Sequence, residues 1–174
     1  LHLEQEVKVL SDVLENPKRP FVAIVGGVKV ETKVPVVENL AKVADFVLVG
    51  GEIAKEIQNL KFKSQNYNPK VKIAQLVDNL KDINQESIKQ FKEIIKTAKT
   101  IVWNGPMGVF EEGFDRGTVS VAQAIIESGL PASRDGRRGG QGAYSVVGGG
   151  ETTQFLGQKG LLAKFGFVSA GGGA

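Results

Sequence analysis

The chain has 174 residues, 41% hydrophobic and 24% charged, which is a globular balance with enough apolar side chains for one core of ordinary domain size. It has no cysteine and one histidine, His2, which excludes disulfides, thiolate chemistry and a zinc site built on those ligands. A net charge of +3 suits small anionic ligands without arguing for nucleic acid, and no apolar stretch reaches the about 18 residues needed to cross a bilayer.

In chain order, Leu3, Val7, Leu10 and Leu14 line one face of a helix over residues 1–16, closed by Asn16-Pro17. Phe21 to Val25 reads as a buried strand that runs into Gly26-Gly27-Val28-Lys29. Pro35 predicts a short helix beginning after it, Val36 to Val43, and Asp45 to Val49 reads as the next strand, leaving at Gly50-Gly51. Residues 60–70 form a polar connector, and Val71 to Val77 reads as a strand. Gln85 to Ala98 carries Ile88, Phe91, Ile94 and Ile95 at helical spacing, with lysines outward. It delivers the chain to the strand that starts at Thr100 and breaks into Asn104-Gly105-Pro106. A helix over Phe114 to Ser128 follows, then a strand over Ala143 to Val147 that empties into Gly148-Gly149-Gly150-Glu151-Thr152. A short helix, Thr152 to Leu156, stops at Gly157, and a last strand, Phe165 to Ser169, ends in Gly171-Gly172-Gly173.

Glycine-rich exits after successive predicted strands describe one rim of a doubly wound α/β sheet, mostly parallel, with helices on both faces. Ligands bind at that rim. The exit at Asn104 offers an amide, glycines that admit a ligand to the backbone, an apolar wall at Pro106 and Val109, and the Glu111 carboxylate. That inventory suits a nucleoside, with apolar surface for a base and a carboxylate for ribose hydroxyls. Lys29 and Lys33, four apart at a helix start, share a face where phosphate can meet both of them and free backbone N–H groups. The Walker A pattern Gly-x-x-x-x-Gly-Lys-Ser/Thr is absent.

The run Trp103 to Glu111, WNGPMGVFE, resembles the signature of phosphoglycerate kinases. Residues 26–33, GGVKVETK, resemble that family's GGAKVxDK segment, with Val28 where alanine is common. Asp82-Ile83-Asn84 is similar to its DIG-like approach to a helix. Gly148 to Thr152 resembles its Gly-Gly-Gly-Asp-Ser/Thr helix start, with Glu151 for the aspartate, and 170–174 its TGGGA, with Ala170 for threonine. Gly50 and Gly51 stand where the family has three glycines, Glu52 replacing the third. Between 60 and 80 a helix and much of a strand are shortened or missing.

The resemblance implies a three-layer, Rossmann-like nucleotide-binding domain over 17–174, truncated at its carboxyl end. Residues 1–16 would be a helix linking it to an amino-terminal half that lies outside this chain. It implies ADP or ATP as nucleotide, with Mg²⁺ served by Glu151. Nucleotide contacts would come from Gly26, Gly27, Val28, Lys29, Lys33, Gly50, Gly51, Asn104, Pro106, Gly108, Val109, Glu111, Gly148, Gly149, Gly150, Glu151 and Thr152. Lys33 and Gly171, Gly172 and Gly173 would serve the phosphoryl group in flight. 1,3-Bisphosphoglycerate and 3-phosphoglycerate would be bound through the other half, in a cytoplasmic, monomeric enzyme without a membrane partner. The alternative from another class is a nucleotide-binding, non-catalytic homologue. The Arg- and Gly-rich loop from Arg134 to Gly142 reads as a surface loop, its sharper reading being an RNA contact without aromatic interleaving.

Overall fold

The computed structural model describes residues 11–61, 68–129 and 142–169. Most of the expected helix over 1–16, most of the Arg134–Gly142 loop and the glycines at 171–173 lie outside the described residues.

Six strands form one sheet: β1 (Phe21–Val25), β2 (Phe46–Val49), β3 (Val71–Ile73), β4 (Thr100–Asn104), β5 (Tyr144–Gly148) and β6 (Phe167–Val168). Between them run α1 (Val30–Val43), α2 (Gly51–Lys61), α3 (Gln85–Thr97), α4 (Arg116–Gly129) and α5 (Gly150–Gln158). The strand order is β3-β2-β1-β4-β5-β6 and every neighbouring pair is parallel. This is the doubly wound order, whose direction reverses between β1 and β4, so the crevice at their carboxyl ends is the expected ligand position.

Strand register explains the continuous apolar runs. Phe21, Ala23 and Val25 join Val47 and Val49 under α1 and α2, with Val37, Ala41, Ile53 and Ala54. Val22, Ile24, Leu48, Ile101, Trp103 and Val147 face the other way, onto Ile88, Phe91 and Ile95 of α3 and Val121 and Ile125 of α4. The central strands β1 and β2 are thus buried on both faces, as expected for parallel strands covered by crossover helices.

Several element boundaries differ from the sequence reading. Helix α1 starts at Val30 rather than after Pro35, which sits inside it. The missing proline N–H removes one hydrogen bond in the second turn, while the turn ahead of it is already closed by Lys33 N–H donating to the Lys29 carbonyl at 3.2 Å. Helix α2 falls where the sequence showed only an exit and a polar connector; among its described side chains, Ile53, Ala54 and Ile57 are the apolar ones turned to the core. β3 stops at Ile73 instead of Val77. Leu76 pairs antiparallel with Ile83 around a turn closed by Leu80 N–H to Val77 O (2.8 Å), with Leu80 at φ 61. Finally, α5 runs on through Gly157 to Gln158, and β6 shortens to two residues.

Candidate functional site

The loops that leave β1, β2, β4 and β5 meet at the switch point and are bonded to one another. Gly26 N–H donates to Asn104 O and Gly27 N–H to Pro106 O, both at 2.9 Å, tying the β1 exit to the β4 exit. Gly51 N–H reaches Met107 O (3.2 Å) and Glu52 N–H reaches Gly27 O (3.1 Å), so the start of α2 is held against both loops. Gly105 N–H donates to the hydroxyl of Thr152 at 2.8 Å, and the indole N–H of Trp103 to Gly105 O at 2.8 Å. Met107 N–H donates to the Thr118 hydroxyl at 3.0 Å. The β4 loop is therefore fixed from α4, α5 and its own strand. The approach leaves no room for side chains: a Cβ on Gly26 would collide with the Pro106 carbonyl, and one on Gly105 (φ 102) with the Gly26 carbonyl.

Two cavities open on this seam. One, of about 380 Å³, is lined by apolar Val28, Leu80, Pro106, Met107 and Val109, by glycines 27, 51 and 108, and by Glu52, Lys55, Lys81, Glu111 and Glu151. The other, of about 630 Å³, is lined by Val28, Lys29, Thr32, Lys33, Val36, Asn104, Gly105, Gly149, Gly150, Glu151 and Thr152. Val28 and Glu151 belong to both and mark their junction. The first is an apolar slot edged with charges. The second has lysines on one side and the amino terminus of α5 on the other, where first-turn N–H groups without intrahelical acceptors favour an anion.

Electrostatics follow from burial. The Lys33 ammonium donates to Gly26 O at 2.6 Å. Its pKa is lowered from the usual lysine value, first by loss of solvent; the Glu151 carboxylate opposes this and the Lys29 charge adds to it. An anion entering beside Lys33 would restore the ammonium's preference for its proton. Behind the slot, Asp82 is 5% exposed and accepts from Ile83 N–H (2.8 Å) and Gly117 N–H (3.1 Å). Burial raises its pKa, partly offset by those N–H donors. With Val109 N–H donating to Lys81 O at 2.8 Å, it ties the 76–84 turn to the back of the Pro106–Val109 loop.

Most residues nominated from sequence line these two cavities, from Gly27, Val28, Lys29 and Lys33 through Gly51, Asn104, Pro106, Gly108, Val109 and Glu111 to Gly149, Gly150, Glu151 and Thr152. Gly26 and Gly50 lie behind the lining, packed on the Pro106 and Met107 positions, and Gly148 borders a separate apolar cavity of about 250 Å³ with Leu14, Val36 and Leu40. Thr152 is fully buried, and its hydroxyl takes up the Gly105 amide. The sequence reading missed Thr32, Lys55, Leu80 and Lys81. Thr32 sits between two nominated lysines, and Lys55 lies one helical turn past Glu52; Leu80 and Lys81 carry no local signal.

Comparison with known proteins gives the family. A family model described as phosphoglycerate kinase matches residues 1–63 and 54–174, the whole chain in two pieces. The chain belongs to the phosphoglycerate kinase family. Phosphoglycerate kinase from Solibacter usitatus is 35% identical over 214 aligned positions, covering 100% of this chain and 51% of that protein, and the one from Limosilactobacillus fermentum is 36% identical with 99% and 50% covered. Among solved structures, phosphoglycerate kinase from Coxiella burnetii superposes with a TM-score of 0.77 at 30% identity, covering 98% of this chain and 53% of that one. The Pyrococcus horikoshii enzyme gives a TM-score of 0.75 at 26% identity. The chain thus spans about half the length of the phosphoglycerate kinases it matches. Set against 174 residues, 214 aligned positions leave at least 40 (214 less 174) of the Solibacter enzyme facing no residue here. The two family-model pieces meet at residues 54–63, at the end of α2.

Proposed function

We propose that this chain supplies the nucleotide-binding half of a phosphoglycerate kinase, holding ADP or ATP with Mg²⁺ for reversible phosphoryl transfer to and from 1,3-bisphosphoglycerate. One observation carries the reading: at the switch point, an apolar slot bearing Glu111 adjoins a cavity bounded by Lys29, Lys33 and the start of α5. Pro106, Val109 and Val28 would flank the base and Glu111 the ribose, while Asn104, Lys29 and Lys33 would meet the phosphates. Magnesium fits Glu151, at the junction of the two cavities. That ion keeps waters and binds through one or two carboxylates plus substrate phosphates, and among the described residues no group of three or more His, Cys, Asp or Glu side chains could hold a metal alone. When bound, it would neutralise charge on the transferring phosphates.

What the chain's own groups contribute is position and charge, which is what phosphoryl transfer needs. The β4 loop, pinned by Thr152, Trp103 and Thr118, sets the distance from slot to phosphate cavity. Lys33, losing solvent in the fold, interacts more strongly with an anion than an exposed lysine would. The acceptor substrate and the groups that bind it would lie in the other half of the kinase.

Calorimetric titration of the chain with ADP, with and without Mg²⁺, tests the reading. Saturable binding at one site, strengthened by the ion, is expected; no binding at millimolar ADP refutes it. A second reading, nucleotide binding without turnover, is favoured by Glu151 in place of aspartate and by the missing positions after α2. A coupled assay on the full-length protein separates the two, since ATP formation excludes the non-catalytic homologue.

A further inference from the structure

Resting on the nucleotide reading above, we propose that Glu52, aided by Lys55, reads the edge of the bound base and makes this site prefer guanine to adenine nucleotides. Glu52 is the second residue of α2, and its N–H is bonded to Gly27 O at 3.1 Å, so its backbone is fixed against the β1 exit. Both Glu52 and Lys55, one turn further along the same helix, line the slot whose apolar surfaces come from Val28, Leu80 and Val109. In this proposal a base stacked against those surfaces would turn its polar edge toward the two charged side chains, which line the same slot. An acidic residue in the first turn of a helix is stabilised by the helix dipole wherever it points, which accounts for the residue type but not for its place in the cavity wall.

The chemistry of the edge decides between bases. An ionised carboxylate only accepts hydrogen bonds and an ammonium only donates them. Guanine presents the O6 acceptor beside two donors, N1–H and the 2-amino group, and can bond once to Lys55 and twice to Glu52. Adenine presents one acceptor, N1, beside one donor, the 6-amino group, and can bond once to each. Hypoxanthine, lacking the 2-amino group, also makes one bond to each. The extra guanine bond goes to a charged acceptor, and a bond of that kind is worth about tenfold in affinity or more. Leu80, 49% exposed at φ 61, lines the same slot.

The test is titration of the 174-residue chain with the Mg²⁺ complexes of ADP, GDP and IDP, for the wild type, Glu52→Gln and Glu52→Gly. GDP is expected to bind about tenfold more tightly than ADP, with IDP close to ADP. Both substitutions should weaken GDP by about that factor while moving ADP by no more than about twofold. Circular dichroism should show the folded, helical state retained in both variants, since Glu52 is exposed and packs no core. ADP binding at least as tightly as GDP, or a guanine preference that survives both substitutions, overturns the role of Glu52 and leaves the nucleotide site standing. Failure of all three nucleotides to bind the wild type overturns the nucleotide reading itself.

Discussion

Replacing Thr152 by valine removes one hydroxyl from the bond that joins α5 to the β4 loop and leaves the side chain's shape almost unchanged. Thr152 is 0% exposed, and its oxygen lies 2.8 Å from the N–H of Gly105, which is itself buried. In the valine variant that donor faces a methyl group, and a buried N–H without an acceptor costs about 1–3 kcal/mol. Threonine-to-serine is the control: it keeps the hydroxyl and removes one methyl, for about 1 kcal/mol of lost burial. Urea unfolding should therefore show the valine variant's midpoint lower by about 1 M, taking 2 kcal/mol and a slope of about 2 kcal/mol/M, with the slope unchanged. ADP affinity should fall in the valine variant, whose β4 loop has lost an anchor, and hold in the serine variant. A valine variant within about 0.3 kcal/mol of wild type, with unchanged ADP affinity, would show that this bond neither stabilises the fold nor sets the loop; the threshold sits well below the range expected for an orphaned donor.

Gly26→Ala puts a Cβ onto the Pro106 carbonyl and within 2.7 Å of the Gly105 carbonyl; it should destabilise the chain by at least about 1–3 kcal/mol in the same urea assay. Lys33→Met should raise the Kd for ADP by about tenfold while leaving adenosine binding nearly unchanged, because the lysine borders the phosphate-side cavity and not the apolar slot. Asp82→Asn tests the buried carboxyl by its pH dependence. Its folded pKa is raised above the ordinary 3.8, so its contribution is full below that value and is lost as pH rises through the folded pKa. Wild-type stability measured relative to the asparagine variant should decline across that interval; a difference that is flat with pH refutes the assignment.

The sheet was legible because parallel strands buried on both faces read as unbroken apolar runs. Phe21 to Val25 and Ile101 to Trp103 announce themselves, and the glycines that follow mark where each strand leaves the core. Helix α3 was equally plain, with Asn84 capping Ser87 N–H at 2.9 Å ahead of Ile88, Phe91 and Ile95. Other features depended on tertiary contacts. Pro35 masks the first turn of α1, and α2 keeps too few inward apolar residues to show a period. The apolar run past Ile73 is broken by a turn that the sequence marks only with Asp78 and Asn79. Lys55, Leu80 and Lys81 come to the slot because α2 packs on the Gly27 loop and because Asp82 ties the 76–84 turn to α4. None of those long-range ties has a local spelling.

The central claim is that exits scattered along the chain surround one nucleotide, and amide chemical shifts read that directly. On titrating ADP and Mg²⁺ into the ¹⁵N-labelled chain, the amides of Gly27, Lys33, Asn104, Gly108, Gly150 and Thr152 should shift together and fit a single Kd. Shifts confined to one of these loops, or fitted by different constants on different loops, would contradict a common site.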